Sequence, residues 1–126
     1  MQPSLLLAVA GAGGLGAVAR HLLATCIKAW WPDLPLAVAV VNVAGCHGFG
    51  VCWALAAGRW SPAVHAAVFA GFFGGFTTFS SFAHECHELL VAGRTGMFLL
   101  DAIGQNLLGI AAMAAGIALG AALRPA

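Results

Sequence analysis

Gly71-Phe-Phe-Gly-Gly-Phe-Thr-Thr-Phe-Ser-Ser-Phe82 lies inside a long apolar run and decides how the chain is to be read. Glycine costs about 1 kcal/mol per site in a helix interior. Hydroxyls at bilayer depth need hydrogen-bond partners, and irregular backbone is tolerated there only where protein or a cavity surrounds it. A stretch with three glycines, two threonines and two serines framed by phenylalanines is poor material for a lipid-facing anchor. It reads as part of a pathway or binding site.

The rest of the chain agrees with a membrane setting. Of 126 residues, 62% are hydrophobic and 7% charged, and the mean hydropathy is +0.97. Soluble domains carry about 25% charged residues. Five Lys or Arg and four Asp or Glu are too few to cover a soluble surface. The same numbers leave no basic patch for nucleic acid.

Four membrane helices account for nearly all of residues 1–126, as one all-α bundle with spans near 4–27, 36–57, 62–90 and 97–123. Pro35 precedes the second span, and Ser61-Pro62 supplies an N-cap and a first-turn proline for the third. The second span is about 33 Å long at 1.5 Å per residue, matching a bilayer core of about 30 Å. The third would reach about 43 Å as one helix; a break at the glycine and threonine residues would relieve that excess, as would tilt or an interfacial extension, and the composition of residues 71–82 favours the break. The fourth, at about 40 Å, carries no such signal. The first lacks the basic start, short apolar core and cleavage site of a signal peptide. Trp30, Trp31 and Trp60 fall in the short connections, where an aromatic belt belongs.

With four spans both termini share a side. Arg59 and Arg124 lie on that side, and Lys28 and Arg94 on the other, with Arg20 a turn or two inside it. Orientation normally follows a Lys/Arg excess in cytoplasmic loops, and almost none exists here. A weak bias setting one orientation and insertion in both orientations are both open on charge alone.

Several motifs have plainer readings. Gly11-Ala-Gly13-Gly-Leu-Gly16 matches a dinucleotide fingerprint, but its continuation stays apolar, so close helix packing is expected. His84-Glu-Cys-His-Glu88 places two histidines on one helix face, without a second cluster to close a metal site. His21 and His47 invite a haem-bearing or structural subunit, but they fall at different depths. Cys26, Cys46, Cys52 and Cys86 form no CxxC pair and read as small buried hydrophobes. A small dual-topology multidrug or cation exporter would need an ionisable coupling residue in the bundle, and the first two spans carry no carboxylate near their middle.

What remains at membrane depth is mostly neutral: Asn42, Thr77, Thr78, Ser80, Ser81, Gln105 and Asn106, together with Arg20. Intramembrane Asn and Thr commonly bond helix to helix. Their concentration beside Phe76, Phe79 and Phe82 points instead to a lined pathway. Phenyl ring edges are electropositive. With amide and hydroxyl donors they suit a small anion.

Gly13-Gly-Leu-Gly-Ala-Val-Ala-Arg20, Val41-Asn-Val-Ala-Gly45 and Gly71–Phe82 together resemble the three signature blocks of the CrcB/Fluc fluoride channels, in order and in spans one to three. The resemblance implies a fluoride-selective channel, not an enzyme, in the bacterial inner (plasma) membrane. It implies an antiparallel dual-topology homodimer that lets cytoplasmic fluoride leave passively and so lowers its toxicity. A structural sodium ion (Na+) at the dimer interface would be held by the backbone carbonyls of Gly74 and Thr77. The fluoride pathway would use Asn42, Phe79 and Phe82, with the hydroxyls of Thr78 and Ser81. Arg20 matches the arginine closing the first block, and Glu85 falls at a vestibule. Cys46-His47 and His21 depart from the pattern, and the fourth span offers only Gln105 and Asn106 as polar candidates.

Overall fold

A computed structural model describes residues 2–32 and 34–124; Asp33, in the first connection, lies outside the described residues. Helix α1 spans Pro3–Trp30 and α2 spans Ala37–Ala56. The third span divides into α3 (residues 62–76) and α4 (Phe79–Val91), and α5 spans Thr95–Ala122. No strand occurs among the described residues. Four helical stretches are long and apolar enough to cross a membrane, with Pro62–Val91 counted as one.

The boundaries correct the expected ones at several points. α1 runs to Trp30, so Lys28 and Trp30 belong to a helix and not to the connection. α5 begins at Thr95, and Val91 closes α4, which shrinks the last connection to residues 92–94. Gly93 there has φ of 68°, a left-handed value that lets the chain reverse after α4. Pro62 opens α3 behind Ser61, whose hydroxyl accepts from Val64 N at 3.3 Å.

The glycines of the third span do not break it. Ala67–Phe73 winds as a π-helix and Gly74–Phe76 closes one more α-turn. The interruption falls after them, at Thr77 and Thr78. The glycines act in packing, where a missing Cβ lets two backbones meet. A Cβ on Gly16 would stand 2.1 Å from Phe72 O, and one on Gly75 2.3 Å from Gly13 O, so α1 and α3 touch backbone to backbone. The α2–α5 pair repeats this: a Cβ on Gly116 would meet His47 O at 2.2 Å and one on Gly120 would meet Val51 O at 2.5 Å. Gly13 and Gly16 of the apparent dinucleotide fingerprint, and the pairs Gly71/Gly75 and Gly116/Gly120 at GxxxG spacing, are therefore seams within one chain.

The bundle is two helix pairs, α1 on α3 and α2 on α5, with α4 leaning on α5. An aromatic cluster ties the pairs together at one end. Phe49 of α2 lies 4.7 Å from Phe69 and 5.5 Å from Phe73, centroid to centroid, and Trp53 and His65 flank Phe69. Trp60 stacks on the same Phe69, so it packs inward, whereas Trp30 and Trp31 are exposed. Many large apolar side chains, Leu7, Leu100 and Ile110 among them, face outward, as lipid permits.

Candidate functional site

The two threonines end one helix and start the next. Thr77 N and Thr77 Oγ1 both reach Phe73 O, at 3.0 and 2.9 Å, and close α3. Thr77 then turns extended, with φ −84° and ψ 156°. Thr78 follows at φ −149° and ψ 114°. Thr78 Oγ1 caps α4 by accepting from Ser81 N at 3.2 Å. Two β-branched residues with local hydroxyl bonds thus supply an extended step that a run of leucines would not.

Asn42, one turn into α2, holds this step from across the bundle. Its Oδ1 accepts from Thr78 N at 2.8 Å, and its Nδ2 donates to Thr78 O at 3.1 Å. The amide copies a backbone partner and satisfies both polar groups of a residue outside any helix, a requirement at membrane depth. The second Nδ2 hydrogen goes to Gln105 Oε1 at 2.6 Å. Asn42 was expected to face the pathway as a free donor. Both its donors are instead engaged within the protein, because the break must be satisfied first.

Gln105 and Asn106 looked equivalent in sequence, and the fold separates them. Gln105 is buried at 8% exposure, and its Nε2 donates to Asp101 Oδ1 at 3.2 Å. Asn106 is exposed, and its Nδ2 turns back onto Ala102 O in its own helix at 2.6 Å. Asp101, which sequence reasoning passed over, also takes the Cys86 thiol at 3.7 Å. Its only sequence signal was a carboxylate four residues before a glutamine on one helix face.

Two clefts flank the break. One, of about 400 Å³, lies between α2, the break and α5 and is lined by Asn42, Thr78, Phe79, Phe82 and Gln105. Phe79 and Phe82 stand 5.5 Å apart by centroid at its mouth, with Phe79 left 77% exposed. The other, of about 590 Å³, lies between α1, α2 and α4 and carries Arg20, Lys28, Thr78, Ser81, His84 and Glu85. Thr78 lines both, so the extended step stands where the clefts meet. Thr78 Oγ1 donates to Ser81 Oγ at 3.1 Å, and Ser80 Oγ lies 3.2 Å away. The hydroxyls therefore gather at that junction.

The wider cleft mixes charge. Arg20 and Lys28 bring positive side chains toward Glu85, whose Oε2 is buried without a hydrogen-bond partner. The histidine-rich run of α4 disperses around its helix: His84 and Glu85 line the cleft, Cys86 turns to Asp101, and His87 pairs outside with Glu88 at 3.7 Å. Among the described residues no three His, Cys, Asp or Glu side chains converge as a metal site, and the four cysteines are free thiols. His47 sits against Ala112 O at 3.2 Å, in the α2–α5 seam.

Residues 7–117 match the family described as CrcB-like protein, Camphor Resistance (CrcB). The chain belongs to this family. Among its relatives is the fluoride-specific ion channel FluC of Nitratidesulfovibrio vulgaris, 41% identical over 123 residues that cover 95% of this chain and 98% of the relative. FluC 2 of Nocardia farcinica is 39% identical over 126 residues, covering 95% of this chain and 84% of its own length. FluC of Rhodospirillum centenum is 40% identical over 118 residues, covering 91% and 94%. The CrcB match spans the break, Asn42, and the Asp101–Gln105 pair alike. With four apolar spans this CrcB chain is a multi-pass membrane protein, and in a bacterium that membrane is the plasma membrane.

Proposed function

We propose that this chain is a fluoride channel, through which cytoplasmic fluoride leaves the cell passively and its toxicity falls. The reading is carried by one observation beside the family: an extended, hydroxyl-bearing step at Thr78 that lines two clefts at once. A strongly hydrated anion crosses such a step only if protein donors replace its water. The Ser81 hydroxyl, which accepts from Thr78 Oγ1 and so keeps its own hydrogen, and the electropositive edges of Phe79 and Phe82 supply that replacement. Arg20 and Lys28 draw the anion into the wider cleft, and Glu85 there limits how tightly it is held. No bond is made or broken, so the protein is not an enzyme.

Fluoride efflux from liposomes, read with a fluoride electrode and compared with chloride, is the direct test. Fluoride release without chloride release is expected, and absence of fluoride release from folded protein sinks the reading. Phe79→Ile and Phe82→Ile keep apolar bulk and remove the ring edge. Each is expected to cut fluoride efflux about tenfold, the equivalent of about 1.4 kcal/mol, with folding unchanged. Wild-type efflux in both would make these rings packing elements only.

The working unit in this reading is an antiparallel, dual-topology homodimer. Balanced Lys/Arg on the two sides supports it, as do the exposed Phe79 at an open cleft mouth and the exposed Gly74. The break also provides a fit for the structural sodium ion. In a continuous helix Thr78 N would close on Gly74 O and Ser81 N on Thr77 O. Those amides are taken by Asn42 Oδ1 and Thr78 Oγ1. The two carbonyls are thereby released as oxygen ligands of the kind a hard cation prefers. Terminal tags should be reachable from both sides of intact cells, and replacing sodium with a bulky organic cation should lower the dimer's melting temperature. Tags on one side only, with a sodium-indifferent melt, would rule this assembly out.

A further inference from the structure

We propose that Gln105 and Asp101 are positioning residues that hold the Asn42 amide against Thr78 and, through it, the shape of the break; the flux part of this inference rests on the fluoride reading. A primary amide presents a donor end and an acceptor end of nearly the same shape, so its partners decide which way round it sits. Thr78 presents its N–H to Oδ1 and its C=O to Nδ2, which fixes the sense of the Asn42 amide and leaves one Nδ2 hydrogen to be satisfied. That hydrogen goes to Gln105 Oε1 at 2.6 Å. Gln105 has the same ambiguity, and Asp101 resolves it. An ionised carboxylate only accepts, so Gln105 turns its Nε2 to Asp101 Oδ1 at 3.2 Å and leaves Oε1 for Asn42.

The donors therefore run one way, from Asn42 to Gln105 to Asp101, with the Cys86 thiol donating to the other carboxylate oxygen at 3.7 Å. Gln105 is buried at 8% exposure, so its side chain depends mainly on these two partners. Hydrogen bonds in such a chain reinforce one another, and breaking one end loosens the other. Asp101 thus reaches Thr78 without touching it.

The test reads the break itself. Backbone hydrogen exchange at Thr78, followed on the full chain in detergent by fragment mass spectrometry, is compared in wild type, Asp101→Asn, Gln105→Met and their double variant. Each single change is expected to speed exchange about tenfold, the loss of about one hydrogen bond, and the double variant to match Gln105→Met alone. Equal factors that multiply in the double variant, or exchange at the wild-type rate in both singles, would overturn the relay. Should Gln105→Met fail to fold, a charge swap keeps the question open to measurement. Gln105→Glu sets two carboxylates face to face, whereas Asp101→Asn with Gln105→Glu restores donor facing acceptor along the chain. Slow exchange returning in that pair supports the relay, and exchange as fast as in Gln105→Glu alone overturns it. Fluoride efflux should fall in the Asp101→Asn and Gln105→Met proteins in the same order as exchange rises. If wild type carries no fluoride while Thr78 exchange responds as described, the channel reading fails and the relay stands.

Discussion

Asn42→Asp is expected to lower fluoride efflux at least about a thousandfold in protein that still folds. Asp keeps an oxygen for Thr78 N, now 2.8 Å from Oδ1. It loses both donated bonds, so Thr78 O and Gln105 Oε1 face a third oxygen. Each acceptor left without its donor costs about 1–3 kcal/mol. A carboxylate near contact with a passing anion adds about 4 kcal/mol of repulsion at an effective dielectric near 20, and every 1.4 kcal/mol is about tenfold. The break is then loosened and the path made repulsive by the same atom. Efflux from folded, monodisperse Asn42→Asp protein in liposomes is the measurement; a rate within a few-fold of wild type would remove Asn42 from the pathway altogether.

Gly16→Ala should be the most damaging small change in the chain. The added Cβ would stand 2.1 Å from Phe72 O, 2.9 Å from Phe76 N and 3.0 Å from Phe72 C. These are backbone atoms of the last turns before the break, so no rotamer relieves the clash. Overpacking a core against movable side chains costs about 1–3 kcal/mol, and α1 and α3 here have no side chain to move. We expect loss of the folded protein or a fall in melting temperature of ten degrees or more, on the order of 3 kcal/mol or beyond. Gly11→Ala, where nothing lies within 4 Å, is the matched comparison. Equal melting of the two variants would show that the α1–α3 seam is not the close contact described.

Membrane residence and the number of spans were legible without coordinates, because apolar run length is a one-dimensional property. So was the existence of a break, from the glycine, threonine and serine content of residues 71–82 more than from length, since α1 and α5 each run 28 residues unbroken. Its position was less so. Glycine signals conformational freedom, but here Gly16, Gly75, Gly116 and Gly120 spend it on close approach, and a pattern such as GxGxxG or GxxxG cannot say which helix is approached. Only the packed bundle shows that the partners are in the same chain.

The polar site divides in the same way. That Asn42, Thr78, Ser81, Phe79 and Phe82 belong together followed from their chemistry at membrane depth and from the resemblance of their blocks. Which of them is free to meet an ion did not follow, because hydrogen-bond partners 36 and 63 residues away must be in place before a donor can be counted as used. Asp101 and Gln105 were two polar residues among several in a helix without a motif. The α2–α5 seam turns Gln105 toward Asn42 and onto Asp101, while Asn106, at the border of the same cleft, bonds back onto its own helix. Hydrophobic length and residue chemistry are written along the chain; burial, and with it the sense of each hydrogen bond, exists only once the helices have met.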